Sequence, residues 1–420
     1  MITVDTTSVL ELPTEFRPLY EVSETTTSES EVKVFSKASV SKEDILKHYI
    51  NNRETDEAFY IVDIYEIFEQ FKLWKKELPR VEPFYAVKCN PNPVILKTLA
   101  MLGCGFDVAS KAEISAVMDF NVEPARMIYA NPIKDASSIK FAKSRNVDVL
   151  IFDCENELEK IKEYYPESKL VLRIKADDCH SLFKFSIKFG ASMEEVQPLL
   201  EKARALGLEV IGVSFHVGSK CHDAGAFRTA LKDSREVFRI AESLGMKLTL
   251  LDIGGGFPGT QGETVASFEE QAKVINEGID TYFNDVENVR IVAEPGRFFA
   301  TRPYTLVMSV IGKKKKPVEK GDPHFQYYMN DGIYSSFNIV TYEQVVPQLK
   351  LLDKQDSKLY KSTVFGPTCD SLDVIVKEVE LPELNLGDWL YVEYFGAYTQ
   401  AIHSNFNGFP TLECKYMMRC

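Results

Sequence analysis

Eight short β-branched or aromatic runs, separated by amphipathic helical stretches, predict an α/β protein: a (β/α)8 TIM-like barrel over residues 60–300, with a second, mainly antiparallel β domain. Two further observations carry that expectation. At 420 residues the chain exceeds what one core usually encloses. Beyond residue 300 the pattern changes to alternating runs, turns and prolines with only short helical pieces.

The elements follow in order. Residues 22–31, "VSETTTSESE", are too polar to support a core, so residues 1–35 are expected to form a disordered arm. Barrel strands are expected at "FYAVK" (84–88), "CGFDV" (104–108), "RMIYA" (126–130), "DVLIF" (148–152), "KLVLRI" (169–174), "VIGVSFHV" (210–217), "LTLLDI" (248–253) and "VRIVAE" (289–294). The intervening helices include "SKAEISAVMDF", opening on a Ser110…Glu113 capping box, "SMEEVQPLLEKARALG", with Ser192…Glu195, and "AFRTALKDSREVFRIAESLG". Residues 36–59 plus 301–420 are assigned to the β domain on "RPYTLVMSVIG", "HFQYYMNDG", "LYKSTVFGP" and "DWLYVEYFG". The run Lys313–Lys316 reads as a solvated loop between strands.

Charge and cysteine usage narrow the function classes. With 62 acidic against 49 basic residues the net charge is -13, which disfavours nucleic acid and suits a small cationic partner. Eight cysteines lie without CxxC or metal-type His/Cys spacing, so no metal and a reducing, cytoplasmic compartment are expected. No apolar stretch approaches the roughly 18 residues of a membrane helix.

In such a barrel the chemistry sits at the carboxyl ends of the strands. Lys88 ends the first, Asp107 the second, Asn131 follows the third and Asp153 the fourth; Arg173 lies on the fifth. The sixth delivers His216 and Ser219, the seventh Gly254-Gly255-Gly256, and the eighth Glu294, Gly296 and Arg297. Each alone has a bland explanation, as a solvated lysine, a core histidine or a turn. Together on one rim they form a set: glycines after strand 7 and "EPGR" after strand 8 fall where such barrels bind phosphate. A rim lysine suits Schiff-base chemistry with an aldehyde, a carboxylate such as Glu294 holds a pyridine nitrogen protonated, and an imidazole such as His216 stacks on a flat ring. These are the parts that pyridoxal 5'-phosphate requires.

From about residue 55 to 410 the sequence resembles the eukaryotic ornithine decarboxylase family, pyridoxal-phosphate enzymes with an alanine-racemase-like barrel and a β domain. The resemblance rests on "PFYAVKCN", "GFDVASKAE", "YANP", "GVSFHVGS", "LDIGGGFPG", "AEPGR", "NDGIYSSFN", "GPTCDSLD" and "FGAYT" in that order. It implies decarboxylation of L-ornithine to putrescine for polyamine biosynthesis. Lys88 would bind the cofactor, His216 stack on its ring and Glu294 face its nitrogen. Ser219, Gly256, Gly296, Arg297 and Tyr398 would contact phosphate, with Asp107 and Arg173 lining the cofactor site. Cys369 would help protonate the carbanion carbon and Asp370 receive the distal amine, both from the other subunit of a homodimer with shared active sites. Where the family has a Tyr-Asp pair at the substrate pocket this chain reads Tyr342-Glu343, whose added methylene, roughly 1.5 Å of reach, shortens or reshapes the pocket. Ser371 stands where the family has glycine. Arginine or lysine as substrate, and an inactive antizyme-inhibitor-like regulator, are the alternatives; an antizyme-type regulator is a further partner the resemblance implies.

Overall fold

Apolar runs of three to six residues, too short to cross a domain as helices and rich in β-branched side chains, form a parallel barrel. The computed structural model describes residues 32–35, 40–179, 181–260, 266–319, 321–353 and 357–419. These fall into two units: Glu69–Phe299, and the described residues up to Phe68 together with those from Ala300.

In the first unit the strands are β1 (Val81–Ala86), β2 (Gly105–Val108), β3 (Met127–Tyr129), β4 (Val149–Phe152), β5 (Lys169–Arg173), β6 (Glu209–Ser214), β7 (Leu250–Asp252) and β8 (Arg290–Ala293). They pair in chain order and close through β8 with β1. Phe84, Ile128, Ile151, Val171, Leu250 and Val292 fill the interior. Outside, several of the helices begin on side-chain caps. Ser192 with Glu195 and Ser267 with Glu270 form full capping boxes, each satisfying two otherwise orphaned N–H groups. Ser110 is half of the expected box: its Oγ accepts from the Glu113 N–H at 3.2 Å, but the Glu113 carboxylate accepts from Ala109 N at 2.6 Å instead.

Strand β1 starts three residues before the expected "FYAVK" and stops at Ala86; Val87–Cys89 is a 3-10 turn, so Lys88 sits beyond the sheet rather than on it. Pro83 and the exposed Glu82 interrupt the apolar pattern that would have marked the earlier start.

In the second unit the strands run Val32–Phe35, Glu413–Arg419, Phe59–Asp63, Tyr304–Lys316, His324–Met329, Leu359–Phe365, Val374–Pro382, with Trp389–Glu393 pairing both Tyr304–Lys316 and Lys350–Leu351. Five of the pairings are antiparallel and three parallel, so the mixed sheet is mainly antiparallel. Two expected boundaries differ. Val32–Phe35 lies within the expected arm yet pairs parallel with Glu413–Arg419, because Val34 and Phe35 are buried apolar residues that need a core; residues 1–31 lie outside the described residues. Phe59–Asp63 belongs to this sheet, and the change of unit falls inside the helix Ile64–Glu77 rather than at residue 60. Lys313–Lys316 is strand, not loop: it pairs antiparallel with His324–Tyr327 of the strand His324–Met329, Lys313 bonds Glu383 at 2.8 Å, and Lys314 lies over the Tyr328 ring.

Candidate active site

The turn after β1 puts Lys88 into the barrel mouth: its side chain is 42% exposed while Val87 and Cys89 on either side are buried. Its Nζ donates to Asp107 Oδ2 on β2. Asp107 is fully buried, and its Oδ1 has no partner among the described residues. An unsatisfied buried carboxylate oxygen is costly, so its retention marks a place where a ligand completes the site.

His216 follows β6. The Gly218 N–H donates to His216 Nδ1 at 3.0 Å, so the uncharged ring carries its hydrogen on Nε2. Burial, and then the positive charges of Arg173 and Lys88, hold its pKa well below the ordinary imidazole value. The ring therefore presents a neutral, flat surface. Gly255 passes directly beside it: a Cβ there would lie 2.8 Å from His216 Nε2 and 2.9 Å from the Glu294 carbonyl. Gly256, at φ +108, leaves the same kind of space, since a Cβ would approach the Gly218 carbonyl to 2.8 Å.

Beyond β8, Glu294 is buried with Oε1 unpartnered among the described residues. Burial, then the charges of Asp252 and Asp107, push its pKa well above the carboxylate range. Asp252, ending β7, accepts from Gly254 N at 2.9 Å and is pushed by burial up to about 7. Two buried carboxyls in contact cannot both ionise readily, so the pair retains a proton near neutrality. Arg297 Nε donates to Ser219 Oγ at 3.0 Å, joining the loops after β8 and β6, and Gly296 packs against Cys89 beside the Lys88 turn.

Lys88, Asp107, Arg173, His216, Ser219, Gly256, Glu294, Gly296 and Arg297 thus gather at one barrel end. Asn131 and Asp153 serve the loops instead: the Asn131 carbonyl accepts from Lys134 Nζ, and Asp153 accepts from Gly190 N. Two residues escape a reading by sequence. Asp252 is the acidic residue next to last in the run "LTLLDI", just before the three glycines, which was its signal. Glu113, read only as a helix cap, is pushed up to about 6 by burial and feels the charges of Asp107 and Lys88.

The remaining predicted residues belong to the second unit. Asp370 accepts from the Leu372 N–H at 3.0 Å and from the Tyr334 hydroxyl, which hold its carboxyl below the usual range. Cys369 is exposed, its N–H donating to Asn407 Oδ1 at 2.9 Å. Tyr342 is 66% exposed at the end of the helix Asn338–Tyr342, and the next residue, Glu343, is buried. Tyr398 holds φ +56, a conformation that is uncommon for a residue with a bulky side chain. Nothing in the structure explains Ser371. Among the described residues no cluster of His, Cys, Asp or Glu could hold a metal, and no helix is long and apolar enough to cross a membrane.

The donor set fits pyridoxal phosphate: an amine for its aldehyde, an unpartnered buried carboxyl for its ring nitrogen, a neutral ring for its face, and glycine backbone with Ser219 and Arg297 for its phosphate. Comparison with known proteins agrees. Residues 64–301 match "Pyridoxal-dependent decarboxylase, pyridoxal binding domain". The chain is 46% identical over 389 residues to ornithine decarboxylase of Mus musculus, covering 89% of this chain and 84% of that one. It is 45% identical over 387 residues to antizyme inhibitor 2 of Xenopus laevis, covering 89% and 85%. Its structure is similar to the arginine decarboxylase of Paramecium bursaria Chlorella virus, with a TM-score of 0.84, 38% identity, and coverage of 89% of this chain and 100% of that one. The chain belongs to the pyridoxal-dependent decarboxylase family.

Proposed function

We propose that the protein is a cytosolic homodimer that decarboxylates L-ornithine to putrescine and carbon dioxide. The observation that carries this reading is the conjunction, at one barrel end, of the Lys88 amine on Asp107, the neutral His216 ring and the proton-retaining Glu294–Asp252 pair. When bound, pyridoxal phosphate supplies an aldehyde that captures amines and a ring that withdraws the electron pair left when a carboxylate departs.

The protein's residues do the rest. Asp107 Oδ2 orients the Lys88 Nζ toward the mouth. Glu294 Oε1 would hold a proton at the cofactor's ring nitrogen, and His216 would cover the ring without adding charge. Ser219, Arg297, Gly256, Gly296 and Tyr398 would hold the phosphate, and the charge of Arg173 helps keep His216 neutral. Asp370, already ionised by its two donors, takes the substrate's distal ammonium, with Tyr342 and Glu343 bounding its chain. Once the bond to the carboxylate carbon breaks and carbon dioxide leaves, Cys369 Sγ delivers a proton to the carbon that kept the electron pair. Cys369 and Asp370 act from the partner subunit.

Arginine is the second reading, favoured by buried Glu343 and by the likeness to the viral arginine decarboxylase. A non-catalytic regulator is disfavoured because Lys88, His216, Glu294, Cys369 and Tyr398 are all present. The test is kcat/KM for ornithine, lysine and arginine side by side. Ornithine is expected to be highest, and a preference for arginine would overturn the substrate assignment. Glu343→Asp is expected to shift the ratio between chain lengths by about tenfold while leaving cofactor affinity intact; an unchanged ratio removes Glu343 from the pocket.

A further inference from the structure

The loop between β5 and β6 turns back over the barrel mouth. Ser181–Phe183 forms an antiparallel pair with Ser219–Cys221, in register Ser219 with Phe183 and Cys221 with Ser181. Its base is closed by Asp178, a buried carboxylate that accepts from Ser186 Oγ at 2.6 Å and from Ser186 N at 2.8 Å. Ser181 Oγ donates to the Val217 carbonyl at 2.6 Å, and at the far end Gly190 N donates to Asp153 at 2.8 Å. Between these anchors Phe185 is held with its ring 4.7 Å from that of His216 at an interplanar angle of 79°, and Phe189 lies 5.1 Å from the Arg173 guanidinium. Gly218, at φ +89, makes the crossing possible: a Cβ there would lie 2.6 Å from the Phe183 carbonyl.

We propose that Phe185 is a positioning residue for His216, clamped edge-on against the imidazole by the Asp178–Ser186 clasp. An edge-on neighbour fixes the tilt of a ring that, among the described residues, has one hydrogen bond, from Gly218 N to Nδ1, to orient it. It also keeps water from the ring. This matters because the charges facing His216, Arg173 on β5 and Lys88 after β1, both favour the neutral form, and exclusion of water strengthens that preference. The loop thereby helps give the cofactor a flat, uncharged, correctly inclined surface. The inference rests on the assignment of His216 to the cofactor ring.

The test has two readouts on the full chain. The first is the titration of the His216 ring by NMR, assigned against His216→Asn, without cofactor. Phe185→Ala is expected to raise the midpoint by about one pH unit toward the ordinary imidazole value. Phe185→Leu, which keeps apolar bulk, is expected to recover most of that shift. Ile187→Ala, two residues on and 83% exposed, is expected to leave it unchanged. The second is pyridoxal phosphate affinity, expected to fall about three- to tenfold in Phe185→Ala and in Asp178→Asn. The double variant is expected to be no weaker than the worse single one, since both act through one contact. An unmoved His216 titration in Phe185→Ala, or two affinity losses that add in full, overturns the inference. A titration that moves while affinity stands still upholds the clamp and instead removes His216 from the cofactor site.

Discussion

The two ends of the barrel differ in how their charges are treated. At the amino end Arg290 reaches Glu82 with two nitrogens, the closer at 2.6 Å, and Lys169 pairs with Asp148 at 2.7 Å; these groups are half-exposed and mutually satisfied. At the carboxyl end Asp107 Oδ1 is buried without a partner among the described residues, and Asp252 and Glu294 are buried against each other as two carboxyls with no cation in ion-pair contact among those residues. One end is finished by the chain itself, whereas the other holds unsatisfied carboxyls that a folded protein retains only where something else completes them. The site is therefore readable as an imbalance in hydrogen bonding before any ligand is considered.

Substitutions at the two ends should separate function from stability. Lys88→Ala should lower kcat by about 10³-fold or more while leaving the circular dichroism spectrum intact, since only the group meeting the cofactor is lost; retained activity would remove Lys88 from the chemistry. Mixing inactive Lys88→Ala with inactive Cys369→Ala should restore about a quarter of wild-type activity, because random pairing leaves half the dimers with one complete site of two. No recovery would mean that each subunit works with its own Cys369.

A smaller effect concerns pH. The folded-state pKa of Asp252 is raised, so between the ordinary carboxylate value of 3.8 and about 7 the folded cofactor-free protein holds a proton that the unfolded chain has released. Stability from this group is thus present at low pH and declines as pH rises through that window. Denaturant midpoints should fall less steeply with pH in Asp252→Asn, and an unaltered slope would show that Asp252 ionises normally. The smallest effect belongs to the amino end: Arg290→Ala should change stability by about 0.5 kcal/mol and kcat not at all.

Much of this was legible from the chain. The strands announced themselves as apolar runs bounded by turns, and most of the rim residues as polar groups at their ends. What the sequence concealed has physical reasons. Pro83 and Glu82 disguised the start of β1, and apolar Val87 prolonged the run past its end, so Lys88 looked like a strand residue when a 3-10 turn carries it. Val32–Phe35 follows a polar stretch and pairs with residues from the far C-terminal end, a long-range contact that local composition does not encode. Asp252 and Glu113 gain their character from burial beside other carboxyls, which depends on the closed barrel. Phe185 reads as one more loop aromatic until Ser181–Phe183 is seen to pair across the mouth.

The most direct test of the central assignment is borohydride reduction of the protein loaded with pyridoxal phosphate, followed by peptide mapping. The expected result is one modified peptide carrying the cofactor on Lys88; a label on another lysine, or no label at all, would contradict it.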